Sequence, residues 1–159
     1  MSGVAIAVIE DGLAQAADRL TRLTVLDKRE LLDTIGRLTQ LQTRQRIRDE
    51  KAAPDGTPWK PNARGSGELY AQGNLYESID YRVNGNDIEV GSSLVYAAIH
   101  HFGGIIKPKN AKALAFRVGG KSVFAKSVTI PARPYLGLSS DNRDELESVI
   151  SDFITEVLQ

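Results

Sequence analysis

Few residues in this chain are equipped for chemistry. His100 and His101 are its only histidines, and it has no cysteine. The lack of cysteine excludes disulfide frameworks, cysteine-based zinc sites and thiol catalysis. Adjacent side chains on a helix point about 100° apart, so the two imidazoles do not readily share a metal. No further His or Cys can complete a site, and a remainder built of carboxylates alone is unusual. Ser78 or Ser92 with a histidine would make a nucleophile and base, but no nucleophile-elbow pattern accompanies either serine. The plain expectation is one histidine packed inside with a hydrogen bond and one exposed.

Gly120-Lys121-Ser122 imitates the end of a phosphate-binding loop. The imitation fails twice. Ala115 stands where the first glycine belongs. The residues that follow, Val123 to Ile130, carry a strand pattern rather than a helix whose N-terminus would receive phosphate. A hairpin turn with an exposed lysine is the better reading.

Charge is balanced overall but not locally. Twenty basic side chains meet twenty acidic ones. Residues 51–138 nevertheless carry a net +5, and residues 139–159 a net −5. Seven Lys or Arg and no acid lie between Ile105 and Arg133. This basic segment could touch phosphate, so a DNA-binding or packaging accessory role over 105–133 is the alternative function. It lacks the aromatic spacing of a single-strand binder. The opposite charges also suit attraction between the segment and the C-terminal residues, within one chain or between copies.

These residues need elements to hold them. At 159 residues the chain has the size of one domain and buries roughly 70% of its unfolded surface, without staples. Composition is that of an ordinary globular protein, 42% hydrophobic and 25% charged. No apolar run reaches the ~20 residues of a membrane helix, and no secretory signal pattern opens the chain.

Val4, Ile6 and Val8 alternate as in a short strand. A helical stretch from Asp11 carries Leu13, Ala16, Ala17, Leu20 and Leu23. A second helix is expected from Asp27 as N-cap, with Glu30 reaching back and Leu26 stapled on Leu31. Leu31, Ile35, Leu38 and Leu41 give its apolar face. Its charged later part, Thr43 to Lys51, is expected to project or to meet another subunit. Residues 52–68, rich in Pro and Gly, read as a long mobile loop carrying Trp59, the only Trp.

Ile79, Tyr81 and Val83, a turn at 84–87, then Ile88 and Val90 read as a hairpin. A short helix over Val95 to Phe102 stops at Gly103-Gly104. Leu114, Phe116 and Val118 open a second hairpin whose return strand runs from Val123 to Ile130. The last helix, capped by Ser140 or Asp141, has an apolar stripe of Leu146, Val149, Ile150, Phe153, Ile154, Val157 and Leu158. The expected class is α+β, an antiparallel sheet of hairpins with N- and C-terminal helices packed on it.

Three stretches look specified beyond what a core requires. They are Gly73 to Ile79, including Leu75 and Ser78; Tyr96 to Gly104, including His100 and Gly103; and Ile130 to Ser139. In the last, Pro131 and Pro134 bracket Arg133 and hold the segment extended. A stiff segment presenting Arg133 and Tyr135 would dock at little entropic cost. The competing reading is a stiff connector into the last helix.

These stretches resemble the phage virion morphogenesis, or tail completion, family of contractile-tailed bacteriophages, including Mu-like prophages. The family is marked by Leu-x-x-Thr-Gly-x-Leu-x-x-Ser-Ile, Tyr-Ala-x-x-His-x-x-Gly-Gly and Ile-Pro-Ala-Arg-Pro-Phe-Leu-Gly segments. Here they stand as Leu69 to Ile79, Tyr96 to Gly104 and Ile130 to Gly137, and the Pro-Asp-Gly-Thr-Pro-Trp stretch at 54–59 also matches. Gln72 replaces the family's Thr, and Tyr135 its Phe, which keeps the ring.

The resemblance implies a structural virion protein at the neck or tail end, with the fold of neck and tail-terminator ring proteins. It implies no enzyme activity, no cofactor and no metal. The implied partners are copies of itself in a ring, often of six, together with tail-tube, tail-terminator or head–tail connector proteins. Weak contact with DNA in the channel is compatible with this, and no membrane is involved. Assembly would take place in the bacterial cytoplasm. The resulting interface candidates are Trp59, Gly73, Leu75, Ser78, Tyr96, His100, Gly103, Gly104, Pro131, Arg133, Pro134 and Tyr135.

Overall fold

The computed structural model describes residues 4–7, 25–62 and 68–157. The expected helix from Asp11 to Leu23, residues 63–67 of the expected loop, and Leu158 lie outside the described residues.

Helix α1 spans Val25–Gln45. It begins two residues before Asp27, which is therefore inside the helix and not its cap. A π-helical turn, Arg46–Glu50, continues it, and Lys51 closes the turn in the left-handed conformation. Contrary to expectation, this charged end does not simply project. Thr43, Arg46 and Ile47 are buried, while Arg48 to Lys51 are exposed. Ile47 turns inward because it is apolar. Arg46 turns inward because backbone carbonyls await it there, as described below.

Strands β1 (Val4–Ala7), β2 (Ile79–Asn84) and β3 (Asp87–Ser92) form an antiparallel sheet in the order β1-β3-β2. The expected hairpin is β2–β3, with Asn84 opposite Asp87. Gln40 and Arg44 of α1 both donate to the Ile79 carbonyl, at 2.8 and 2.9 Å. The Tyr81 hydroxyl donates to Asp33 at 2.7 Å. Gly36 lets the two elements approach, since a Cβ there would run into the Tyr81 ring.

A short helix α2 (Asn74–Ser78) leads into β2, and α3 (Ala97–Phe102) follows β3. The second hairpin is shorter than the alternation suggests. Strands β5 (Leu114–Val118) and β6 (Lys121–Ala125) pair from Leu114 opposite Ala125 to Val118 opposite Lys121. The strand pattern then breaks at Lys126-Ser127. Val128–Ile130, β7, pairs instead with Gly104–Ile106, an unexpected strand β4.

Helix α4 (Ser140–Val157) packs against α1. Its cap is Ser139, not Ser140 or Asp141. The Ser139 hydroxyl accepts from the Asn142 N–H, and the Asn142 side chain accepts from the Ser139 N–H. This is a capping box with Asn in the role of Glu. Leu31 and Ile35 of α1 bury with Leu146 of α4. A second core gathers Ile47, Trp59, Leu75, Ile79, Val90, Ala97 and Tyr135. Helices and small antiparallel sheets together make an α+β fold. Among the described residues, no helix is long and apolar enough to cross a membrane.

Candidate assembly interface

The segments that stood out in the sequence meet one another. Arg133 is 3% exposed. Its backbone N–H donates to the His100 carbonyl at 2.9 Å. Its guanidinium donates to the carbonyls of Lys60 (2.9 Å) and Pro61 (3.1 Å). The two prolines hold 131–134 extended, so these carbonyls and α3 are reached without competing local turns. Burial lowers the Arg133 pKa, and Glu68 acts in the opposite direction.

Tyr135 is fully buried. Its hydroxyl donates to the Ala97 carbonyl at 3.0 Å, and burial pushes its pKa up to about 12. The His101 ring stands edge-on to it with centroids 5.0 Å apart. The Tyr135 N–H donates to His101 Nδ1 at 3.3 Å, which keeps that nitrogen unprotonated. Burial lowers the His101 pKa accordingly. The Trp59 indole donates to the Pro134 carbonyl at 3.1 Å.

Gly103 completes the junction. Its φ of 72° and ψ of 176° lie where essentially only glycine is comfortable. A Cβ there would sit 2.6 Å from the Ala132 nitrogen. This turn carries the chain from α3 directly into β4 beside β7.

Arg46 carries a structural role that no sequence pattern marks. Its guanidinium is fully buried and donates to the carbonyls of Tyr135 (3.1 Å) and Gly137 (2.7 Å) and to the Asn142 side chain. Glu50 lies 3.4 Å away as its ion-pair partner. One buried cation therefore ties the end of α1 to the 135–137 segment and to the cap of α4. A helical Arg among charged neighbours gives no sequence signal of this role, because its hydrogen-bond partners lie 89 and more residues away.

The Pro-Gly stretch is folded as well. Ala53 N–H donates to the Thr57 carbonyl at 2.8 Å, and Trp59 N–H to Lys51 at 2.9 Å, closing 51–59 into a tight turn. Trp59 is thereby packed on the chain's own core. Leu75 and Gly73 are buried too. The Ser78 and Ser92 hydroxyls bond each other at 2.7 Å, and Ser78 also donates to the Leu75 carbonyl.

The expected presentation of Arg133 and Tyr135 to a partner is thus corrected: both side chains face inward. Pro131 and Pro134 are partly covered, and Gly104 is exposed at the start of β4. Tyr96 is exposed, its ring edge-on to His100 at 5.8 Å. His100 is half-buried, and burial, followed by Arg133, lowers its pKa. It lines a groove of about 780 Å³ together with Tyr96, Leu75, Ile130, Arg133 and strand β5. Among the described residues, no three His, Cys, Asp or Glu side chains are grouped to hold a metal.

What remains outside is apolar in places. Val95 and Phe102 are 84% and 64% exposed, Ile105 is 61% exposed, and Phe124 is 73% exposed. Single exposed apolar residues are ordinary, whereas a contiguous group of large ones would suit a surface that another protein covers.

The phage virion morphogenesis family matches residues 9–155, nearly the whole chain and all four converging segments. The chain belongs to that family. It is also 34% identical over 80 residues to the Mu-like prophage FluMu G protein 2 of Haemophilus influenzae. That match covers 50% of this chain and 46% of the relative, so it spans about half of the relative's length. No solved structure matches.

Proposed function

We propose that this phage virion morphogenesis protein is a structural, non-enzymatic subunit that completes the tail or joins it to the head. In this reading copies of the chain associate as a ring at the neck or tail end. The observation that carries it is the family match across 9–155. The folded chain supplies a second support. Much of its family-marking segments, Trp59, Leu75, His101, Arg133 and Tyr135 among them, is spent on holding the subunit together, while Val95, Phe102, Ile105 and Phe124 remain exposed for neighbours. A rigid subunit with exposed apolar side chains can join copies of itself with little loss of entropy. A heterologous contact of suitable rotation closes into a ring.

Gold labelling of an epitope-tagged chain on purified particles tests the position. Label at the neck or the head-proximal tail end is expected. Label scattered along the tail, or absent from particles, would contradict the reading.

A further inference from the structure

The β5–β6 ribbon is sparsely covered. Its two strands pair only with each other among the described residues. Cross-strand partners share a face, so the pairs Ala115–Phe124 and Arg117–Ser122 lie on one side of it. All four residues are exposed. A two-stranded ribbon is marginal alone in water, and this one holds an aromatic ring out into it. Lys112, Lys121 and Lys126 are also exposed, and no ion pair joins any of these cations to α4 among the described residues.

Helix α4 has the opposite character. Its apolar stripe is only partly covered by α1: Leu146 is buried, but Val149, Ile150, Phe153, Ile154 and Val157 keep part of their surface. Asp141, Glu145, Asp152 and Glu156 recur at helical spacing along one flank of that stripe. All four are exposed.

We propose that the outward face of the β5–β6 ribbon docks on the acidic flank of α4 of a second copy. Phe124 covers the open Val149 edge of the stripe, and Arg117, on the same face of the ribbon, meets the carboxylates. Each copy then uses one ribbon and one helix, a heterologous contact able to close a ring. The inference rests on the reading of this chain as a self-associating assembly subunit. Charge complementarity together with the exposed ring selects the second copy as occupant, because a nucleic acid would use the cations but not the apolar edge.

The cysteine-free sequence gives a clean test. One tagged copy carries Ser122→Cys and a differently tagged copy carries Ser148→Cys, both exposed serines beside the proposed contact. They are produced together in the phage host and treated with a short bis-maleimide. A covalent product bearing both tags, absent when either variant is present alone, is expected. Infectious particles at normal titre without that product would overturn the contact while leaving the assembly role standing.

If the cysteine variants do not support particles, charge exchange decides instead. Arg117→Glu is expected to abolish particle formation, and adding Asp152→Lys to restore it. Failure of restoration, or duplex DNA binding by the purified chain that Arg117→Glu abolishes, would overturn the proposal. Normal particles in the absence of the gene would instead remove the assembly role itself.

Discussion

Arg133 and Tyr135 show how one rigid segment stabilises a subunit. Arg133→Ala would leave the Lys60 and Pro61 carbonyls without their buried donor. Losing two bonds to a charged group costs roughly 2–4 kcal/mol. For a chain of this size that lowers the melting temperature by about 5–15 °C. A variant melting with the natural protein would contradict the folding role. Tyr135→Phe keeps the ring and loses only the bond to Ala97, so a smaller loss of about 1 kcal/mol is expected in the same measurement. The histidines add a pH dependence. Both have pKa values below the usual 6.5. As pH falls, the unfolded chain therefore takes up protons before the folded one. Stability is full above about pH 6.5 and declines as pH falls below it. Urea midpoints should fall over that window, and His100→Gln with His101→Gln should flatten the slope. An equal slope in both proteins would contradict the assignment. None of these partnerships was legible in the sequence. The prolines made the segment recognisably stiff, but which way its side chains point depends on carbonyls supplied by residues 60, 61 and 97.

At the scale of elements, legibility followed locality. The β2–β3 hairpin was readable because alternation and a two-residue turn lie in one short window, and α4 because its stripe repeats over four turns. β4 and β7 were not, since each is three residues long and they pair with one another across the β5–β6 ribbon that separates them in sequence. The return strand of the second hairpin accordingly appeared continuous to Ile130. Trp59, whose loop reads as open from its prolines and glycines, sits on a turn closed by its own backbone. Gly103→Ala tests how much that geometry depends on one residue. A side chain there is strained in φ and meets the Ala132 backbone, so a loss of at least ~2 kcal/mol is expected by urea unfolding. Unchanged stability would mean that the α3–β4 turn relaxes freely.

For the whole molecule, the converging segments explain why the family signature is spread over four stretches. The 131–137 segment joins 51–61 and α3 through Arg133, Pro134 and Tyr135, and Arg46 ties it to the start of α4. Class and family were legible because the α+β pattern and the motif order survive in sequence. The inward orientation of the motifs was not, because a motif marks constraint without saying whether the constraint is internal or external. Exposed surface of apolar or charged character remains at Tyr96 and Phe102, on the β5–β6 ribbon and along the half-covered stripe of α4. The central claim, an assembly role in the virion, is tested most directly by electron microscopy of lysates from the encoding phage or prophage with this gene removed. Filled heads accumulating apart from unattached or overlong tails are expected, restored to whole particles by the gene in trans. Whole, infectious particles in the absence of the gene would contradict it.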